Sequence, residues 1–468
     1  MAFMRVRIPC FAASIILAII SYSTAAQESL RHSLFYHHKS TKNQVECIYR
    51  QSDVQSSQEG QSLQFDVCQV EGHFYNLPDN LLDPYRVELE SGRTRIHIEP
   101  ATLQSSEHVS QSNEILLTPT SRVTVHNDFL AHRNSVQQQT AMGNLTLIAV
   151  RVTSNDAEVS LSREELSNSM GFGSSASSNV TLASQLNACS AGALTLVPGI
   201  EGGVGELFIP VNTRGVATKN LETLLQNEFV QTFGSEDDFD HILFCMPNGT
   251  STQLNNWIAY AYRDTKFSYY NDVWCNSLTS RMHEMGHNWG LGHSGEGNEG
   301  NYEDRTCSMG VSFPEPDGPQ ECYNGWRHWY LGWFRSRQVV VNPIVNGPWS
   351  GKLAAFVDYP DIGEEYFVIL RVRDIFIQYN LADKHNRGVA EKPNNVTVVK
   401  SGGSAEQVST ILVGLDMQNP IFAYKNRNAF IVIELCEEGT DENGVRFMRL
   451  IIREQSQTLT CSGDPSML

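Results

Sequence analysis

The stretch 280–296, SRMHEMGHNWGLGHSGE, sets three histidines, a glutamate and a glycine at intervals suited to one kind of chemistry. On an α-helix residues four apart share a face, so His283 and His287 can aim both imidazoles at one ion, with Glu284 directed to the side where a bound water would sit. Gly290 lets the helix stop and the chain turn sharply, which can bring His293 round as a third ligand. A fourth position left open marks a catalytic zinc site, because structural sites close with four Cys or His ligands and have no use for the glutamate. Zinc in that place lowers the pKa of a bound water towards ~7 and polarises a carbonyl, and Glu284 can take the water's proton and return it to a leaving amine. The reaction so composed is peptide hydrolysis. In a chain with 14 histidines and 34 glycines among 468 residues, the pattern H-E-x-x-H-x-x-G-x-x-H arises by chance in on the order of one in 10⁴ cases. Satisfied histidines on a core helix therefore explain it poorly.

Such a helix needs a sheet to rest on, and the chain around it supplies one. LTLIAVRV from Leu145 reads as a buried strand, SREELSNSMGF and NVTLASQLNACSAG as helices, and GELFIPV, HILFCM and WIAYAY as strands. NLETLLQNEFVQTF places Leu221, Leu224, Leu225 and Phe229 on one helical face. Strands alternating with helices predict a mixed α/β sheet layer. After Val340 the runs RQVVVNPIV, EYFVILRV, DIFIQYNL, NVTVVKS, AFIVIEL and RFMRLII, separated by Gly, Pro, Asn and Asp, predict a β-rich, sandwich-like domain. Residues 27–143 are rich in Gln, Ser and His, suggest a few short strands and hold no catalytic motif. The expected division is a signal peptide at 1–26, a pro-segment at 27–143, a zinc peptidase catalytic domain at 144–340 and a β-rich C-terminal domain at 341–468.

The first residues carry Arg5 and Arg7, an apolar run from Ile8 to Ile20 and small residues ending at Ala25 and Ala26, the pattern of a secretory signal. The run is shorter than the ~20 residues a membrane span needs, so a secreted, extracellular protein without a stable membrane anchor is expected. A net charge of -18 without a long Lys/Arg run speaks against nucleic acid as a partner. Behind the signal stand Cys47, Cys68, Cys189, Cys245, Cys275, Cys307, Cys322, Cys436 and Cys461. An odd number in an exported chain predicts disulfides and one remaining thiol. Sequons at Asn144, Asn179, Asn248 and Asn395 fit a glycoprotein.

His283, Glu284, His287, Gly290 and His293, followed by YEDRTCSMG with Met309 in the Met-turn position, resemble the metzincin metallopeptidases. Within them WIAYAY, NDVWCNSLTSRMHEMGHNWGLGHS, YEDRTCSMG and ECYNGWRHWYLGWF, with weaker echoes in NACSAGALTLVPG and FIQYNLADKHNRG, resemble the gametolysin family of secreted algal cell-wall peptidases. The resemblance covers roughly residues 145–390. It implies a metzincin-like α/β zinc peptidase domain, a mixed sheet with an active-site helix. It further implies Met309 as a hydrophobic floor under the metal, and a protein or glycoprotein substrate from the extracellular matrix or cell wall. Trp257, Ile258, Ala259, Tyr260, Ala261 and Tyr262 would form the edge strand to which a substrate adds as a β-strand. Two residues depart from the family pattern. Val311 stands where the family tends to have tyrosine, and Cys307 precedes Met309 by two positions, which makes it the first candidate for the unpaired thiol.

A chain of this kind is expected to be made as a latent zymogen and activated by cleavage near residue 140. A pro-segment thiolate on the metal would tether the segment after cleavage, so a local Cys47–Cys68 disulfide is favoured, with blocking by the segment's bulk or by an acidic or histidine side chain. From another class comes a non-catalytic secreted matrix-binding protein that keeps a zinc-organised metzincin fold; the intact Glu284 argues against it. A zinc amidase acting on non-peptide amides shares the motif. Trp326, Trp329 and Trp333, at near-helical spacing, read as core packing.

Overall fold

Strands need residues that fit a pleated, half-buried or buried surface, and the long Val-, Ile-, Leu- and Tyr-rich runs of this chain meet that need over most of its length. A computed structural model describes residues 44–56, 62–78, 81–85, 89, 91–92, 94–104, 113–127, 141–175, 180–252, 257–297, 302–310, 320–359, 362–403, 408–426 and 429–461. The expected signal peptide, Asn179 and Val311 lie outside the described residues.

The first strands are β1 (Val45–Ser56), β2 (Ser62–Val70), β3 (His73–Asn76), β4 (Thr94–Gln104) and β5 (Glu114–Asn127). They are followed by β6 (Gly143–Ser154), β7 (Leu194–Pro198), β8 (Val204–Ile209), β9 (His241–Met246), β10 (Trp257–Tyr262) and β11 (Phe267–Asn271). All join one sheet in the order β2-β3-β5-β4-β1-β10-β11-β9-β6-β7, with β8 also on β6. β6 is parallel to β7, β8 and β9, and β11 is parallel to β9, whereas β10 runs antiparallel to β11 and to β1. The sheet is mixed, as the alternation of strands and helices predicts. The N-terminal strands are longer than the short ones expected from their Ser/Gln-rich sequence. In β4 buried positions alternate with more exposed ones, so polar residues fall on the more open face without breaking the strand.

Four helices cover the sheet: α1 (Arg163–Met170), α2 (Leu182–Cys189), α3 (Thr218–Phe233) and α4 (Leu278–Asn288). The run in β6 is apolar without interruption because both its faces are buried. Leu147 and Ala149 pack in one core with Leu166, Leu186, Met282 and Met285 of α1, α2 and α4, while Ile148 and Val150 pack in another with Leu221, Leu225 and Phe229 of α3. Thus α4 and α3 lie in different cores, and period-two alternation along the strands sends side chains to one or the other.

The remaining strands are β12 (Ser294–Glu296), β13 (Gln338–Val340), β14 (Trp349–Ala354), β15 (Tyr366–Phe367), β16 (Ile369–Val372), β17 (Ile375–Asn380), β18 (Asn395–Lys400), β19 (Ser409–Leu415), β20 (Ile421–Asn426), β21 (Ala429–Thr440) and β22 (Arg446–Glu454). Helices α5 (Gly325–Leu331) and α6 (Pro343–Asn346) interrupt them. One sheet runs β12-β19-β18-β17-β16-β13 and a second β15-β14-β22-β21-β20. The line drawn after residue 340 from composition does not divide the core. β12 and β13 precede it yet belong to the later sheet, and one hydrophobic cluster runs from Ala141 through Met285 to Ile452.

Disulfides join Cys47 to Cys68, Cys189 to Cys322, Cys245 to Cys275 and Cys436 to Cys461. Cys307 is left as a buried thiol among the described residues. Burial first, and the Asp304 carboxylate second, push that thiol up to about 12, so the reactive thiolate is scarce at neutral pH. Iodoacetamide at pH 8 should therefore leave the native protein unlabelled, and the unfolded, unreduced protein should gain one adduct, at Cys307. Peptide mapping that finds the adduct on any of the eight paired cysteines contradicts this pairing.

Candidate active site

Helix α4 starts at Ser277, whose hydroxyl accepts the Ser280 N–H at 3.3 Å, and every residue from Leu278 to Asn288 is buried. Gly286 sits inside it, a position that costs roughly 0.5–1 kcal/mol relative to alanine. The reason is on the next layer: a Cβ there would overlap the Met309 sulphur. Met309 thus lies directly against the helix backbone between the turns that carry His283 and His287. At the other end Gly290 takes φ +82° and donates its N–H to the His287 carbonyl at 2.8 Å. A side chain there would also press on Asp264, whose Oδ1 is 2.6 Å from where the Cβ would stand. Both constraints select glycine, and the chain returns with His293.

The ring nitrogens of His283, His287 and His293 lie within 4.8 Å of one another, and all three residues are buried. The His287 and His293 Nε2 atoms are 3.2 Å apart. His283 Nδ1 meets the Ser308 carbonyl at 2.8 Å and His287 Nδ1 meets that of Leu291 at 2.7 Å. A carbonyl only accepts, so both Nδ1 atoms carry the proton and both Nε2 lone pairs point inward. Burial pushes His283 down to about 4 and holds His287 and His293 well below the ordinary imidazole range. They are neutral, the form that binds a metal. His283 Nε2 and both oxygens of Glu284 are buried without a hydrogen-bond partner. The His283 lone pair and the Glu284 carboxyl, buried without a partner, are costly unless a cation meets them, so the residues present fit a metal ion. Burial, and then the Asp53 charge, lift the Glu284 carboxyl well above the ordinary carboxylate range.

Single polar residues far apart in the sequence fix the third histidine. Arg327 Nη2 donates to the carbonyls of Gly292 at 3.0 Å and His293 at 2.8 Å, and the Ser409 N–H donates to the His293 carbonyl at 3.1 Å. The next residue, Ser294, donates its hydroxyl to Asp304 Oδ2 at 2.6 Å and its N–H to the Met309 carbonyl at 2.8 Å. Asn324 Nδ2 donates to Ser294 Oγ at 2.9 Å and lies within reach of Asp304 and Ser409. The pairing of β12 with β19 completes this lock. No periodicity announces these residues in the sequence. Asn324 and Arg327 lie in ECYNGWRHWYLGWF, whose Trp333 is buried and whose Trp326 and Trp329 pack against the core, as expected of packing residues. The Tyr302 ring stands 3.9 Å from that of His293, centroid to centroid.

The profile of the gametolysin peptidase M11 family matches residues 158–351. Over these residues the chain is similar to the gametolysin peptidases. No curated protein and no solved structure matches the chain. The gametolysin match spans the three histidines, Glu284 and Met309, and ends within β14. Ser409, and the N-terminal strands β1–β5, lie outside it.

The expected substrate strand, Trp257 to Tyr262, is β10, and all six of its residues are buried. Its outer edge pairs with β1, Asp53 opposite Ala261 and Val54 opposite Tyr260. Tyr260 and Tyr262 turn to the α3 side and donate to Glu222 Oε1 at 2.7 and 3.0 Å. Burial pushes that carboxyl up to about 7. Of the sequons, Asn144 and Asn248 are exposed and Asn395 partly so.

The polar lock predicts that Asp304→Ala, which touches no metal ligand, loosens His293. Competition titration with a chromogenic chelator should show metal affinity reduced on the order of 10–100-fold. Affinity equal to the wild type would mean that the helix alone positions the ligands.

Proposed function

We propose that this chain is a secreted zinc endopeptidase of metzincin type that hydrolyses peptide bonds in extracellular matrix or cell-wall glycoproteins. The observation that carries the reading is the convergence of three neutral imidazoles beside the unpartnered carboxyl of Glu284, inside the segment that matches a peptidase family. His283, His287 and His293 would hold the zinc, which when bound supplies an acidified water and polarises the scissile carbonyl.

The protein's own part is proton handling in a dry site. Glu284 lies one position along α4 from His283 and is wholly buried. Its raised proton affinity suits a group that takes a proton at its carboxylate and returns it to the leaving nitrogen. Met309 seals the site beneath the helix, and the buried surroundings exclude bulk water. Disulfides, exposed sequons and the N-terminal signal pattern support secretion. Among the described residues no helix is long and apolar enough to cross a membrane. A non-catalytic matrix-binding role leaves unexplained why a carboxyl is kept unpaired beside the ligands.

Glu284→Gln keeps the shape and the ligands and removes the base. Peptide cleavage should fall on the order of 10²–10⁴-fold, with one equivalent of zinc still bound. The assay uses a proteome-derived peptide library, with and without chelator, after limited proteolysis ahead of β6. Undiminished, chelator-sensitive cleavage by the variant would sink the mechanism.

A further inference from the structure

An open strand edge beside a metal centre offers main-chain hydrogen bonds to any extended peptide. On β10 that offer is taken by the chain itself. Ser52, Asp53, Val54 and Ser56 of β1 face Tyr262, Ala261, Tyr260 and Trp257 in antiparallel register. Strand alternation sends Ser52 and Val54 to the side of Tyr260 and Tyr262, where they line a cavity of about 750 Å³. Asp53 turns the opposite way, towards α4, and its partner Ala261 is small enough to leave it room. The Asp53 carboxylate is 3.8 Å from His293 Nε2 and 2.5 Å from Arg263 Nη2, and both side chains of that ion pair are only 5% exposed. The strand is fastened on both sides of this point. The Arg263 N–H donates to the Gln51 carbonyl at 3.0 Å, Arg50 Nη1 donates to the Asp264 carbonyl at 2.7 Å, and the Phe74 ring stacks on Tyr262 at 4.1 Å. The two cysteines of the segment are bonded to each other, so neither can supply a thiolate to a metal.

We propose that residues 50–56 fill the peptide-binding edge of the active site as an internal pseudo-substrate, with Asp53, held by Arg263, as the acidic group that shields the metal position. The proposal rests on the zinc peptidase reading and adds the residue that closes the site. The carboxylate complements in charge a metal held by the three histidines and stands between them and the strand that covers β10. The main-chain pairing at the same time denies substrate its place on β10. Removing Asp53 alone leaves the strand paired and clears only the metal position, which separates shielding by the side chain from blocking by bulk.

The full-length chain loaded with cobalt(II) tests this, with acetohydroxamate as a small chelating probe and the visible cobalt absorption as the readout. Asp53→Asn, close in shape, and Asp53→Ser should bind acetohydroxamate at least tenfold more tightly than the wild type, while circular dichroism shows the fold retained. Equal affinity in wild type and variants, with cobalt in all three, overturns the role of Asp53. The wild type alone suffices if neither variant folds: a spectrum that resists stoichiometric acetohydroxamate supports the shield, and one that shifts overturns it. Absence of cobalt from every form would instead overturn the metal-centre reading, a failure distinct from that of the shield.

Discussion

Three buried imidazoles brought to within 4.8 Å of one another, two of them with the Nε2 lone pair turned inward, form the constraint on which the rest of this structure depends. Burial makes an unmet lone pair costly, and it also opposes taking up a proton, since the charged ring is disfavoured there. A cation resolves this, so metal binding and local folding are coupled: the ion stabilises the arrangement and the arrangement selects the ion. Helix α4 contributes two of the histidines through its own periodicity. The third arrives only because Gly290 turns the chain and because remote groups hold the carbonyl of His293.

What could be read in the sequence follows from this division. Local chemistry was legible. The four-residue spacing of His283 and His287, the turn at Gly290, the apolar run of β6 and the stripe of α3 are each contained within a few residues, and the structure has them as expected. Cys307 as the odd thiol followed from parity and from its place beside Met309. The lock around His293 was not legible, because Asp304, Asn324, Arg327 and Ser409 are ordinary polar residues until the fold brings them together. Gly286 was also overlooked, although a glycine inside a helix is a visible signal of close approach. The N-terminal strands were underestimated for a related reason: alternation on a sheet with one open face resembles a polar linker when only composition is weighed.

The three-histidine motif is thus enclosed from two directions by parts of the chain outside the family match. From the C-terminal side, β19 pairs with β12 beside His293. From the N-terminal side, β1 lies along β10 and brings Asp53 to the histidines. The two enclosures differ in kind. The first is a continuous apolar core with a fully bonded polar centre, which is permanent architecture. The second closes over the edge of β10, and it brings one carboxylate, Asp53, to 3.8 Å from His293 Nε2. A single mixed sheet accommodates both because an added strand costs the sheet no internal pairing.

The central claim is that the three histidines hold one zinc ion. X-ray absorption at the zinc edge of the purified full-length protein addresses it directly. The account predicts one zinc per chain with three imidazole nitrogens at about 2.0–2.1 Å and one oxygen in the remaining position. A sulphur neighbour at about 2.3 Å, which would implicate Cys307, or a protein that retains no zinc, would contradict it.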